Sequence, residues 1–227
     1  MPHDVDHRAI LARVGRAKPF LKTIDPRRTA HLVVDMQNGF MAPGAPVEVA
    51  EAREVVAEIN RLSAALRQAG GLNVFLHYTS PDEGDASWSS FAERLGPVAA
   101  AAHDAAFRRD SHNWQLWPEL DVGDGDLALE KRRFSAFVPG SSDLDAILRQ
   151  RGIDTVIVTG TMTNCCCEST ARDAMQLNYK VIFVPDATAA STDHEHAATL
   201  HTMGRIFADL IDSEELARMI ERARVPA

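Results

Sequence analysis

Short runs of aliphatic and β-branched residues alternate along the chain with longer segments whose apolar positions recur at three and four residues. That alternation of two periods predicts an α/β domain. The runs occupy residues 30–34, 72–77, 126–129, 155–159 and 181–185, with 205–209 as a weaker sixth. Their apolar character is continuous rather than alternating, as expected of parallel strands buried on both faces. Between the first two runs, Val55, Val56, Ile59, Leu62 and Leu66 form a helical stripe within residues 49–68, and Gly70 and Gly71 stop it. Ser142 or Asp143 can cap a helix through Gln150, and Asn164 opens one that reaches about Leu177. Thr192 or Asp193 can cap another through about Met203, and a last helix covers residues 213–222.

Two stretches lie outside this rhythm. Residues 80–125 carry Trp88, Trp114 and Trp117 among Gly, Pro and Ser, a pattern of short helices and loops that cover a pocket. Residues 1–28 hold a short basic amphipathic segment (Ile10, Leu11, Val14) before Pro19 and Pro26. They read as an arm packed on its own domain or on a neighbouring subunit, with residues 29–227 as the single domain.

Composition narrows the function classes. Of 227 residues, 45% are hydrophobic and 25% charged, the balance of a globular protein. No run approaches the roughly 18 apolar residues of a membrane helix, so no membrane partner is expected. The net charge is -8 and basic residues cluster only in pairs or triplets such as Lys131, Arg132 and Arg133, which argues against nucleic acid. Cys165, Cys166 and Cys167 are consecutive, so they build no disulfide framework and point to a reducing, cytoplasmic setting.

In an open parallel sheet, ligands bind beyond the C-terminal strand ends. The first run ends in Asp35, followed by Met36, Gln37, Asn38, Gly39 and Phe40; the third ends in Glu130 and Lys131; the fourth passes Gly160 into Thr161, Met162, Thr163, Asn164 and the cysteines. A thiol at a helix start, an ammonium and a carboxylate suit nucleophilic attack on an amide. Free thiols are mostly protonated at neutral pH, and a carboxylate can take the proton and return it to a leaving amine.

These residues resemble the isochorismatase-like cysteine hydrolases over about residues 28–209. The most specific matches are Val33-Val-Asp-Met-Gln-Asn-Gly-Phe40, Lys131 in Glu-Lys-Arg-Arg-Phe-Ser-Ala-Phe, and Val158-Thr-Gly-Thr-Met-Thr-Asn-Cys-Cys-Cys-Glu-Ser-Thr-Ala-Arg-Asp-Ala174. The resemblance implies a Rossmann-like three-layer sandwich with a six-stranded parallel sheet flanked by helices. It implies a triad of Asp35, Lys131 and Cys166, the middle cysteine standing two residues after Asn164 and two before Glu168. It also implies a cis peptide between Thr161 and Met162 that turns the Met162 N–H toward an oxyanion beside that of Cys166. Met162 replaces the small residue expected there, which alters the pocket floor. Related proteins are commonly oligomers, so a homo-oligomer, dimer or tetramer, is expected.

Each candidate has a plainer alternative. Asp35 could cap a turn, Lys131 could sit in a solvated basic run, and Cys166 could be a small buried thiol. Their convergence after strands that share one pocket favours the functional reading. Cys165 and Cys167 point about 100° to either side of Cys166 on a helix and read as packing. Phe40 and Phe137 match pocket-lining aromatic positions of the family, with core packing as the alternative for them and for the tryptophans. Gln37 and Asn38 could orient a substrate or satisfy loop backbone groups. His77 could line the pocket or be a hydrogen-bonded structural histidine. His194, Glu195 and His196 read as a solvated face. Nicotinamidase relatives hold a metal just after the second strand, whereas His77-Tyr-Thr-Ser-Pro-Asp-Glu-Gly-Asp85 lacks that grouping, so neither metal nor cofactor is expected.

The reading is a cysteine amidohydrolase of a small amide, carbamoyl or ureido substrate, using water and passing through an acyl-enzyme on Cys166. The overall pattern lies nearest the amidohydrolase branch acting on ureidoacrylate and carbamoyl compounds. Isochorismatase-type vinyl ether hydrolysis, which does without the cysteine, is the alternative; a catalytically idle binding subunit is a third.

Overall fold

The computed structural model describes residues 3–13, 19–82 and 88–224; Val14 of the amphipathic segment and residues 83–87 of the pocket-covering stretch lie outside them. The strands are β1 (Thr29–Val34), β2 (Leu72–Tyr78), β3 (Leu127–Lys131), β4 (Thr155–Thr161), β5 (Lys180–Ala189) and β6 (Asp209–Leu210). All pair in parallel, in the order β3-β2-β1-β4-β5-β6. Strand order reverses between β1 and β4, so the crevice for a ligand opens beyond their C-terminal ends.

The helices are α1 (His7–Arg13), α2 (Asn38–Met41), α3 (Val56–Gln68), α4 (Ser89–Leu95), α5 (Pro97–Ala106), α6 (Leu144–Gln150), α7 (Glu168–Gln176), α8 (Asp193–Thr202) and α9 (Ser213–Arg224). Successive strand residues face opposite sides, and both sides are apolar. Val33, Phe75, Ile157 and Ile182 pack against Ile59, Leu62 and Leu66 of α3 and Leu216 and Ile220 of α9. Leu32, Val34, Val74 and Val156 pack against Leu144 and Leu148 of α6, Ala171 and Ala174 of α7 and Leu200 of α8. This is the expected three-layer α/β sandwich.

Several boundaries differ from the sequence reading. The stripe that begins α3 is preceded by a 3-10 turn over Ala50–Val55. β5 runs on to Ala189 because its pairing with β4 is interrupted between Val158 and Gly160 and resumes as Gly160 with Thr188. The expected sixth strand at 205–209 is corrected: Met203–Phe207 continues α8 as a π-helical turn, and the strand is only Asp209–Leu210. Met203 and Gly204 are buried while Arg205 and Ile206 are exposed, a helical pattern, and a Cβ on Gly204 would lie 3.0 Å from Leu11 and Leu210 side chains. Ser142, rather than Asp143, caps α6 by accepting the Leu144 N–H at 3.2 Å. Thr192 caps α8 by accepting the Glu195 N–H.

The expected solvated face at His194–His196 is corrected at its last residue: His196 is buried because α1 and His3 lie over α8. The described part of the arm therefore docks on its own chain. Among the described residues, no helix is long and apolar enough to cross a membrane.

Two buried histidines make the fold acid-sensitive. His31 on β1 lies between Ser63 Oγ (3.1 Å) and Thr159 Oγ1 (2.7 Å), and burial pushes its pKa down to about 3. Burial, reinforced by His3, does the same to His196, also to about 3. Below the ordinary histidine value of 6.5 the unfolded chain takes up protons that the native state refuses, so stability falls as pH drops from 6.5 towards 3. Each histidine should cost about 3 kcal/mol between pH 6.5 and about 4.5, at 1.36 kcal/mol per unit. Urea unfolding at pH 7.5 and 4.5 checks this; equal midpoints would rule it out.

Candidate active site

β1 delivers Asp35 to the crevice, and the backbone there turns sharply: Asp35 has φ 51°, its N–H bonds to Leu76 O at 3.0 Å, and its carbonyl accepts the Gln37 N–H at 2.8 Å. Asp residues tolerate this left-handed region better than most. β4 reaches the same level beside it. Gly160 has φ 105°, and a Cβ would stand 2.2 Å from Val34 O, so only glycine lets β4 pass β1 at this point. The Thr161–Met162 peptide that follows is cis.

Lys131 ends β3, two strands away from β1. It pairs in register with Tyr78 of β2, and its side chain crosses that strand to place Nζ 2.7 Å from Asp35 Oδ2. Both residues are fully buried. Lys131 Nζ also donates to Arg133 O at 3.1 Å and lies 5.3 Å from the centre of the Tyr78 ring. The Cys166 thiol faces the same carboxylate, so Asp35 stands between an ammonium and a thiol.

Cys166 lies in a π-helical turn, Thr163–Cys167, wedged between β4 and α7, and its side chain is buried. The Cys165 and Cys167 N–H groups both bond to Met162 O at 3.1 Å, which ties the turn to the cis peptide. Cys167 is packed inward with its sulfur 3.7 Å from Thr159 O, and Cys165 is half-buried.

The electrostatics couple three groups. Burial pushes the Asp35 carboxyl above its ordinary value, opposed by the Lys131 ammonium and the Cys166 thiol. Contact with Cys165, then burial, then the Asp35 charge raise the Cys166 thiol well above the usual thiol value. Burial opposes the Lys131 ammonium, but the Asp35 and Cys166 charges outweigh it and its pKa is raised. Burial thus raises both the Asp35 carboxyl and the Cys166 thiol, while the Lys131 ammonium favours the ionised form of each. A thiol, a carboxyl and an ammonium are thus gathered at one buried point of the crevice.

The other candidates divide. Gln37 is committed to the loop: Nε2 donates to Tyr78 O (3.0 Å) and Trp114 O (2.7 Å), and Oε1 accepts the Tyr78 N–H (2.8 Å). Of its two readings from the sequence, these bonds fit the satisfaction of loop backbone groups. Asn38 likewise donates to His112 O at 2.9 Å. His77 is buried against Trp114 at 4.9 Å between ring centres, with the Trp114 backbone beside its ring nitrogens. Burial lowers its pKa, so it presents a neutral imidazole beside Asp35. Phe40 packs on Phe107 at 4.6 Å, and Phe137 packs on Tyr179 at 5.5 Å in the apolar cluster that includes Cys166.

Sequence reasoning missed Tyr78, whose ring faces the lysine. It also lines a cavity of about 250 Å³ with Pro81, Trp88, Phe91, Leu95 and Asp104. The signal available was that Tyr78 ends the strand beside the one carrying Lys131. Trp114 is a structural tryptophan, its indole donating to Thr79 Oγ1 at 2.8 Å. Among the described residues, no three His, Cys, Asp or Glu side chains converge as a metal site would require.

Residues 29–215 match the profile described as Isochorismatase domain. The chain is 35% identical over 178 residues to the isochorismatase family protein YwoC of Bacillus subtilis, covering 78% of this chain and 86% of that one. A cysteine hydrolase from Pseudomonas syringae pv. phaseolicola is 31% identical, with a TM-score of 0.81 over 91% of this chain and 98% of the other. N-carbamoylsarcosine amidase from Thermoplasma acidophilum is 28% identical, with a TM-score of 0.68 over 83% and 98%.

Proposed function

The chain belongs to the isochorismatase family of hydrolases, and from that premise we propose that it is a cysteine amidohydrolase acting on a small amide, carbamoyl or ureido compound. The observation that carries this reading is the fully buried Lys131–Asp35 ion pair, 2.7 Å long, electrostatically coupled to Cys166. Hydrolysis of a C–N bond needs a proton moved from nucleophile to leaving nitrogen, and this arrangement supplies a carrier for it.

In the proposed cycle the Cys166 sulfur attacks the carbonyl carbon as its proton passes to Asp35. The oxyanion is held by the N–H groups of Met162 and Cys166, a contribution of about 3 kcal/mol in comparable sites. The C–N bond then breaks as Asp35 returns the proton to the nitrogen, releasing ammonia or an amine. Water attacks the thioester, giving a proton to Asp35; the S–C bond breaks, and the proton returns to sulfur. Lys131 keeps Asp35 anionic between these steps. His77, a buried imidazole facing Asp35, is a polar side chain that could meet a substrate, and Phe40 and Phe137 are the aromatic residues assigned to its apolar part.

The relative named for N-carbamoylsarcosine makes carbamoyl compounds the first to try. A panel of ureido, carbamoyl, maleamic and nicotinamide compounds, assayed for ammonia with chelator present, should show release with one of them. Mass spectrometry after rapid quenching should find the acyl group on the Cys166 peptide. Silence across the panel combined with cleavage of a vinyl ether such as isochorismate would replace this reading.

A further inference from the structure

The arm reaches the nucleophile turn through two histidines that the proposed cycle does not use. His3 Nε2 accepts the Ala190 N–H at 3.1 Å, and its Nδ1 lies 2.8 Å from Asp193 Oδ1 at the start of α8. The His3 ring stacks on that of His196, 4.2 Å between centres and 17° from parallel. His196 Nδ1 in turn lies 3.0 Å from Thr163 Oγ1. Thr163 is the first residue of the π-helical turn that carries Cys166, and it is fully buried.

Below the same turn, Thr161 Oγ1 donates to Ala189 O at 3.2 Å, one residue before the N–H that His3 accepts. On the far side, Glu168 at the start of α7 accepts from Thr199 of α8 at 2.6 Å. The nucleophile turn is thus braced by side chains at both ends, and one brace continues into the arm.

An apolar residue at position 196 would fill this buried space without the desolvation cost of an imidazole. What the imidazole adds is a directional bond to the one hydroxyl at the head of the turn. Facing it are His3 and His7 of the arm, Asp193 of its own helix and the carbonyl of Pro185, and burial holds it neutral with one lone pair and one N–H to use. Nucleophile placement is sensitive to such bonds, since a displacement of about 1 Å can cost about 100-fold in rate.

We propose that His196 is a positioning residue that fixes Thr163, and through it the Cys166 turn, and that His3 of the arm holds His196 in place, so that arm docking sets nucleophile geometry. This rests on Cys166 being the nucleophile.

The test uses the full chain and the rate of Cys166 alkylation by iodoacetamide, followed peptide by peptide, with Tm measured beside it. Thr163→Val, nearly isosteric but without the hydroxyl, should slow Cys166 labelling about tenfold, and Thr163→Ser should restore it to within about twofold. His3→Ala should slow it several-fold, and His3→Phe, which keeps the stacked ring, should recover part of the loss. Once a substrate is in hand, the same variants should lower kcat with KM unchanged. Variants that lower Tm while labelling stays at the wild-type rate would reduce His3 and His196 to packing and overturn the proposal. If Cys166→Ala keeps the wild-type rate of ammonia release, the nucleophile assignment itself fails, and the proposal fails with it.

Discussion

Cys166→Ala should lower ammonia release from the amide that the wild type hydrolyses by at least about 10⁴-fold, because loss of a covalent nucleophile leaves only binding and oxyanion stabilisation. The neighbouring cysteines serve as internal controls. Cys165 is half-buried and Cys167 is packed under the turn with its sulfur towards Thr159 O. Cys165→Ala should retain turnover to within about tenfold. Cys167→Ala should cost about 1–2 kcal/mol of stability as a small core truncation and retain most activity. The measurement is the steady-state rate of the three variants side by side. Substantial release by Cys166→Ala, or equal losses at all three positions, would contradict the assignment.

Lys131→Met should destabilise the protein by about 3–5 kcal/mol, since it leaves the Asp35 carboxylate buried with no counter-charge. The lysine stem is also fully buried, so methionine keeps most of the volume and isolates the charge. Burial already pushes Asp35 upward, and removing the ammonium, the chief opposing influence, pushes it further. Lowering the pH lets Asp35 take a proton and shed the penalty, so the deficit relative to wild type should shrink between pH 7.5 and 5. Asp35→Asn combined with Lys131→Met removes both charges, and asparagine accepts the φ of 51° at this position. The double variant should recover much of the lost stability while remaining inactive. Urea unfolding of wild type, single and double variants decides it; a single variant that loses under about 1 kcal/mol would show that the pair is not desolvated.

Much of the fold was legible because continuous apolar runs and a helical stripe report burial directly. The runs at 30–34, 72–77 and 155–159 lie within β1, β2 and β4, and Leu62 and Leu66 of the stripe face the sheet as expected. The weak run at 205–209 misled because Ile206, Phe207 and Ala208 are apolar in either a strand or a helix, and it is the burial of Met203 and Gly204 beside exposed Arg205 and Ile206 that marks the helical turn. His196 misled for a related reason. A histidine two residues after another on a polar helix has no local mark of burial, and what buries it is an arm nearly two hundred residues earlier in the chain.

At the candidate site, local order and residue type pointed to Asp35, Lys131 and a thiol among the three cysteines, all near strand ends, and the family resemblance singled out Cys166. They could not say that Lys131 crosses β2 to meet Asp35, that Gln37 is consumed by three bonds to loop backbone, or that His77 packs on Trp114. Periodicity along a chain records which side of an element is shielded from water, and by itself it determined the alternation of buried strands and covering helices, while residue types at the run ends marked the candidate chemistry. Distances between residues far apart in sequence follow from strand order and register, so only the tertiary structure decided which charges pair, which hydrogen bonds are spent and which histidine reaches the turn that carries the thiol.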